Sequence, residues 1–145
     1  MRAPFLVWPG RIGVGNDQYT KVLLNMEGVN NGTTFTDQAR GATSTHTWTV
    51  SGSAVTSNSQ VKFGLTSLSC QNVTSLISMQ NNADINFGTA DFAIDCWGWS
   101  SGGNLTRRFL FGQSDAAGNV SSITIFGELS DSNVFRVGIS DGTTQ

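Results

Sequence analysis

The chain reads as an all-β protein, a two-layered antiparallel sandwich or jelly roll. Short apolar runs alternate with a period of two, and turn signals separate them roughly every 8 to 15 residues. Ser, Thr, Asn and Gly replace charge as the polar material: Asp, Glu, Lys and Arg make up 12 % of the 145 residues, against a usual value of about 25 %. Those residue types favour turns and strand faces over helix interiors.

Residues 1–19 read as an extended N-terminal arm. Pro4 and Pro9 are the only prolines, and Gly10, Gly13 and Gly15 follow without a sustained period. The cluster Phe5, Leu6, Val7 and Trp8 is costly to leave in water, so it is expected to dock on its own domain or on a neighbouring subunit. The domain itself is expected over 20–145. Val22, Leu24 and Met26 share one face of a first strand, and Asn30-Asn31-Gly32 makes a turn before Thr33 to Asp37. His46, Trp48 and Val50 form the next same-face set, then Leu68 with Cys70, then Ser75, Ile77 and Met79.

Residues 82–97 carry the strongest local signal. A polar turn with Ile85 and Phe87 runs through Gly88 into a segment apolar on both faces. Phe92, Ile94 and Cys96 point one way, Ala93 and Trp97 the other, as expected of a strand at the centre of a sandwich with Trp97 in its core. Three further alternating segments follow, around Phe109 and Phe111, Ile123 and Ile125, and Phe135, Val137 and Ile139. Only residues 81–87 suggest a short helical turn.

Composition excludes several function classes. The net charge is −2, Lys21 and Lys62 are the only lysines, and the one basic pair is Arg107-Arg108, so phosphate-backbone binding to nucleic acid is not expected. No apolar run approaches the roughly 18 residues that span a membrane. The first ten residues lack a secretory core, which leads to an expectation of cytoplasmic synthesis. Cys70 and Cys96 read as small buried hydrophobes, with a disulfide left open because spacing alone does not decide it. With two Cys and one His, a zinc site is not expected.

Candidate chemistry is sparse. Glu27 and Glu128 are the only glutamates and lie far apart, while Asp84, Asp91 and Asp95 read as capping and turn carboxylates, so a glycosidase pair is not expected. His46, the sole histidine, has no Ser or Cys partner placed beside it in sequence and reads as structural. Asp115 and Asn119 are weak calcium candidates within a turn. Asp37 is a third weak metal candidate and a better loop-organising carboxylate, with backbone amides as its expected partners. Trp48, Trp97 and Trp99 are the candidate aromatic platforms for sugar; Trp99, beside Ser100-Ser101-Gly102-Gly103, is the one expected to be exposed.

Four segments resemble the concanavalin A-like, laminin-G-like jelly-roll modules found in bacteriophage virion proteins and bacterial surface proteins. They are residues 22–28, Thr34-Phe35-Thr36-Asp37, Lys62-Phe63-Gly64-Leu65-Thr66-Ser67-Leu68, and 82–97. The resemblance runs from about residue 20 to residue 142 and implies a jelly roll of the lectin/glucanase type, here without its last strands. Where the family carries an Asp-Gly turn and an Asp-Tyr pair, this chain has Gln71-Asn72 and Ser75-Leu76, which argues against a family-type calcium site. The expectation is therefore a non-enzymatic virion subunit (a decoration, fibre or tail-associated protein) without cofactor. It would be held by its arm to other subunits or to copies of itself. The alternative is a lectin-like module that attaches to host-surface glycan.

Overall fold

Alternation becomes hydrogen-bonded ladder in seven strands of the computed structural model, which describes residues 16–87, 90–99, 108–114, 120–128 and 134–139. They are β1 (Trp48–Ser51), β2 (Val55–Ser57), β3 (Ser67–Ser69), β4 (Leu76–Met79), β5 (Arg108–Ser114), β6 (Val120–Glu128) and β7 (Val134–Ile139). Among the described residues the only helical element is a single 3-10 turn, Ala83–Ile85, so the protein is strand-rich and every sheet is antiparallel. The chain divides into two compact units, Met1–Ala93 and Ile94–Gln145.

In the first unit β1 pairs with β4 and β2 with β3. Trp48 lies opposite Met79 and Val50 opposite Ile77, and these four are the half-buried face, whereas Thr49, Ser51, Leu76 and Ser78 are exposed. This is the face that the period of two assigns to them. The Asn30-Asn31-Gly32 turn also forms: Asn31 adopts φ 63, and the Gly32 N–H donates to the Val29 carbonyl at 2.9 Å. Thr56, fully buried in β2, clips this turn to the ribbon. Its Oγ1 donates to the Val29 carbonyl at 2.5 Å and accepts from the Gly32 N–H at 3.0 Å. Its backbone exchanges two more bonds with Asn31 and Gly32.

A second clip joins residues 26–28 to 64–66. Thr66, buried, donates from Oγ1 to the Met26 carbonyl at 2.8 Å and accepts from the Gly28 N–H at 3.0 Å. The Glu27 carboxylate accepts the Leu65 N–H at 3.0 and 3.2 Å. Gly64 precedes it at φ +72, which favours glycine, and a Cβ there would displace that carboxylate from the Leu65 N–H. Among the described residues the buried apolar side chains are Phe35 and Ala54, while His46, Thr56, Thr66 and Asp84 are buried and polar. Among the described residues of the first unit, hydrogen-bonded clips are more prominent than fully buried apolar side chains.

In the second unit β5, β6 and β7 form a meander in that order. Phe109 pairs with Phe126 but Phe111 with Ile125, so the ladder carries an irregularity at Leu110, and a second shift follows between Gly112 and Ser114. β6 and β7 pair without a shift from Ile123↔Ile139 to Glu128↔Val134.

Three expectations are corrected. Residues 91–99 join no ladder, and Phe92, Trp97 and Trp99 are 49 %, 66 % and 66 % exposed, so this segment is not a buried central strand and Trp97 is not core. An apolar run is buried only when another surface covers it, and periodicity does not report that cover. Residues 21–27 and 33–37 also form no strand: Met26 turns to φ 56, and Leu23 bonds to Asp37 and Gln38 rather than to a neighbouring ladder. Cys70 and Cys96 are exposed rather than buried, because Cys70 lies one residue beyond β3 and Cys96 lies in the segment without a ladder. The short turn expected in 81–87 is present as Ala83–Ile85, capped by Asn82, whose Oδ1 accepts the Asp84 N–H at 2.9 Å. The arm cluster Phe5 to Trp8 and Gly88 lie outside the described residues.

Candidate functional site

The densest polar constellation gathers four residues distant in sequence: Lys21, Asp37, His46 and Asp84. The alternation of β1, continued two residues ahead of Trp48, sends His46 inward, and its side chain is 0 % exposed. Nδ1 lies 2.7 Å from Asp37 Oδ2 and Nε2 lies 3.3 Å from Asp84 Oδ2. Asp37 and Asp84 are themselves buried, at 6 % and 2 % side-chain exposure.

Each carboxylate is further saturated. Asp37 Oδ1 accepts the N–H groups of Leu23 and Ala39, both at 2.9 Å, which are backbone amides of the kind expected for a loop-organising carboxylate. Asp84 sits in the 3-10 turn and accepts the Thr43 N–H at 2.7 Å and the Thr43 hydroxyl at 2.9 Å. The Lys21 ammonium lies 3.5 Å from Asp84 Oδ1 and donates to the Gly41 carbonyl at 2.6 Å. Desolvation pushes the Asp84 carboxyl up. The Thr43 hydrogen bonds, the His46 ring and the Lys21 charge together outweigh it and hold the carboxyl below its ordinary 3.8, at about 2.

A cleft of about 350 Å³ opens beside this network, lined by residues that include Asp37, Ala42, Thr43, Ser44 and His46. Its polar walls are already engaged: Thr43 with Asp84, and Ser44 Oγ with the Asn82 amide at 2.8 Å. Both His46 ring nitrogens face carboxylates, so neither faces a serine or cysteine as a general base would. Among the described residues no group of three His, Cys, Asp or Glu side chains is arranged to hold a metal ion. The arrangement fastens chain segments to one another.

Of the residues singled out in sequence, the structure unites Asp37 and His46 with Asp84, and leaves Asp91 and Asp95 on the exposed surface. Asp115 and Asn119 lie outside the described residues. Trp99 is exposed, as expected of the platform candidate. Trp48 is half-buried, with a buried Nε1 that has no hydrogen-bond partner, and so is not a platform. Sequence reasoning missed Thr56, Thr66 and Lys21. The available signal was a threonine inside or beside an apolar run with a turn far upstream, which a one-dimensional pattern does not connect. Comparison with family models, with curated proteins and with solved structures returned no match for this chain. Among the described residues no helix is long and apolar enough to cross a membrane.

Proposed function

We propose that the chain is a non-enzymatic structural subunit of a bacteriophage virion, a concanavalin A-like jelly-roll module that works by being held against neighbouring subunits. The observation that carries this reading is a mismatch between interior and surface. Among the described residues the buried set is small and largely polar, while Val61, Phe63 and Leu65 beside the Glu27 clip, together with Val73, Phe92, Trp97, Trp99 and Val137, present large apolar side chains to solvent. Val61, Phe63 and Leu65 follow one another at alternate positions, and a contiguous apolar patch of this kind is what a contact face presents. The saturated His46 cluster supports the non-enzymatic part, since a general base needs a ring nitrogen free to accept a proton from a reacting group. The low charge and the 62–68 motif segment, which runs into β3, support the module type.

The test is image reconstruction of phage particles carrying the gene product. The expected result is density for this chain in regular contact with other subunits, with Phe63 and Leu65 or the Phe5 to Trp8 segment at the contact. Particles that lack the chain, or a chain that remains monomeric and catalyses turnover of a small substrate, would overturn the proposal.

A lectin-like adhesion role is the second reading, favoured by the exposure of Trp99. An indole face stacks on the apolar face of a pyranose, and amide- and hydroxyl-rich surroundings suit sugar hydroxyls. Saturable binding on a glycan panel, abolished by Trp99→Ala, is the signature. A blank panel eliminates it and leaves the structural role.

A further inference from the structure

We propose that His46 is held as an imidazolium with both ring nitrogens donating, and that this proton fastens the 16–25 segment to the rest of the first unit. A neutral imidazole carries one N–H. With 2.7 Å from Nδ1 to Asp37 Oδ2 and 3.3 Å from Nε2 to Asp84 Oδ2, a neutral ring would direct one nitrogen lone pair at a carboxylate oxygen. The side chain has 0 % exposure, so solvent does not relieve that repulsion.

The charged groups facing the ring are accounted for on every element around it. Asp37 comes from the loop after the Asn31 turn, Asp84 from the 3-10 turn, and Lys21 from the 16–25 segment itself through Asp84. Two carboxylates then balance one imidazolium and one ammonium. Asp84 accepts two bonds from Thr43 and Asp37 accepts two backbone N–H groups, so both carboxylates act as acceptors and the bridging protons reside on the ring.

Loss of that proton leaves a buried negative charge without compensation and frees Asp37 to turn. Asp37 is what fixes the Leu23 N–H, while Leu23 accepts from the Gln38 N–H, Lys21 donates to Gly41, and the Asn16 side chain brackets Gln38 and Arg40. These bonds form one continuous seam between 16–25 and 37–41, with His46 behind it. The device is therefore a proton-operated latch at the root of the N-terminal segment.

The deciding experiment is long-range 1H–15N NMR of the His46 ring in the full chain at neutral pH, with amide hydrogen exchange at Leu23, Ala39 and Thr43 at the same pH. The expected result is two protonated ring nitrogens. Protection at those three amides should fall by roughly tenfold in His46→Gln, which carries no charge to hold the two carboxylates. Amides of the β1–β4 ladder serve as the internal reference. A single ring N–H, or protection at Leu23 that is the same in His46→Gln, overturns the proposal. The ring measurement on the unaltered chain decides it even where the variant fails to fold.

Discussion

Gly64→Ala tests the clip between residues 26–28 and 64–66. Gly64 adopts φ +72, and a residue with a Cβ in that region costs about 1–2 kcal/mol. The new methyl also overlaps the Glu27 carboxylate, which must swing aside and release the Leu65 N–H. A charge-assisted hydrogen bond of this kind, discounted because both partners are solvent-exposed, contributes about 1 kcal/mol. Gly64→Ala is therefore expected to destabilise by about 2–3 kcal/mol, the sum of these two contributions. In a Glu27→Ala background the carboxylate is gone, and the same substitution should cost only the backbone part, about 1–2 kcal/mol. Urea unfolding of the four proteins of this cycle, followed by tryptophan fluorescence at constant m, gives both numbers. A cost below about 0.5 kcal/mol for Gly64→Ala in either background would refute the left-handed assignment. Strict additivity would refute the contact with Glu27.

Thr56→Val keeps the shape of a fully buried side chain but strips the hydroxyl from Val29 and Gly32; it should cost about 2 kcal/mol, as for other buried polar groups left without partners, and Thr56→Ser should cost less. Thermal scans of these two variants at one pH make the comparison. Because the Asp84 carboxyl is held below its unfolded value of 3.8, its contribution to stability is complete above that pH. It is lost as pH falls through about 2. Melting temperature measured from pH 5 downward should show this slope, and Asp84→Asn should flatten it. Cys70 and Cys96 should both react with a thiol reagent without denaturant, since both are exposed. Cys96 should react slowly for an exposed cysteine, because partial burial and the Asp95 charge push its thiol pKa up. Reagent release resolved in time distinguishes the two, and protection of either thiol in the native protein contradicts the placement.

Sequence periodicity revealed the inner faces of β1 and β4, the Asn31 turn and the strands of the meander, because each depends on local spacing and turn chemistry. His46 was visible as a same-face residue just ahead of β1 for the same reason. Its two carboxylates were not visible as a pair, since Asp37 and Asp84 reach it from loops whose paths are set by backbone hydrogen bonds rather than by any repeat. The segment 91–99 shows the opposite error. Phe92, Ile94 and Trp97 satisfy a strand pattern, but a strand also requires a neighbouring backbone to bond with, and that requirement leaves no trace in one segment's own residues. The positive φ at Met26 was equally hidden, because methionine carries no conformational signal of the kind glycine or asparagine gives.

The four strands of the first unit have a consequence for how the chain reaches its native state. β2–β3 lies nested inside β1–β4, so the two ladders are one interrupted hairpin in which residues 52–54 face residues 70–75. Gly52, at φ +63, lets the short side of the interruption pass beneath Thr74, where a Cβ would crowd the Thr74 carbonyl. Joining Ser51 to Leu76 directly means closing the whole intervening stretch at once, whereas Ser57 and Ser67 are separated by a short loop. Once that inner rung exists, only the small eye of the interruption remains to be closed, and the entropic cost of the outer rung drops accordingly. Folding of this ribbon should therefore run from tip to base. Lengthening the 58–66 tip should slow both rungs, while lengthening 70–75 should delay the outer rung alone.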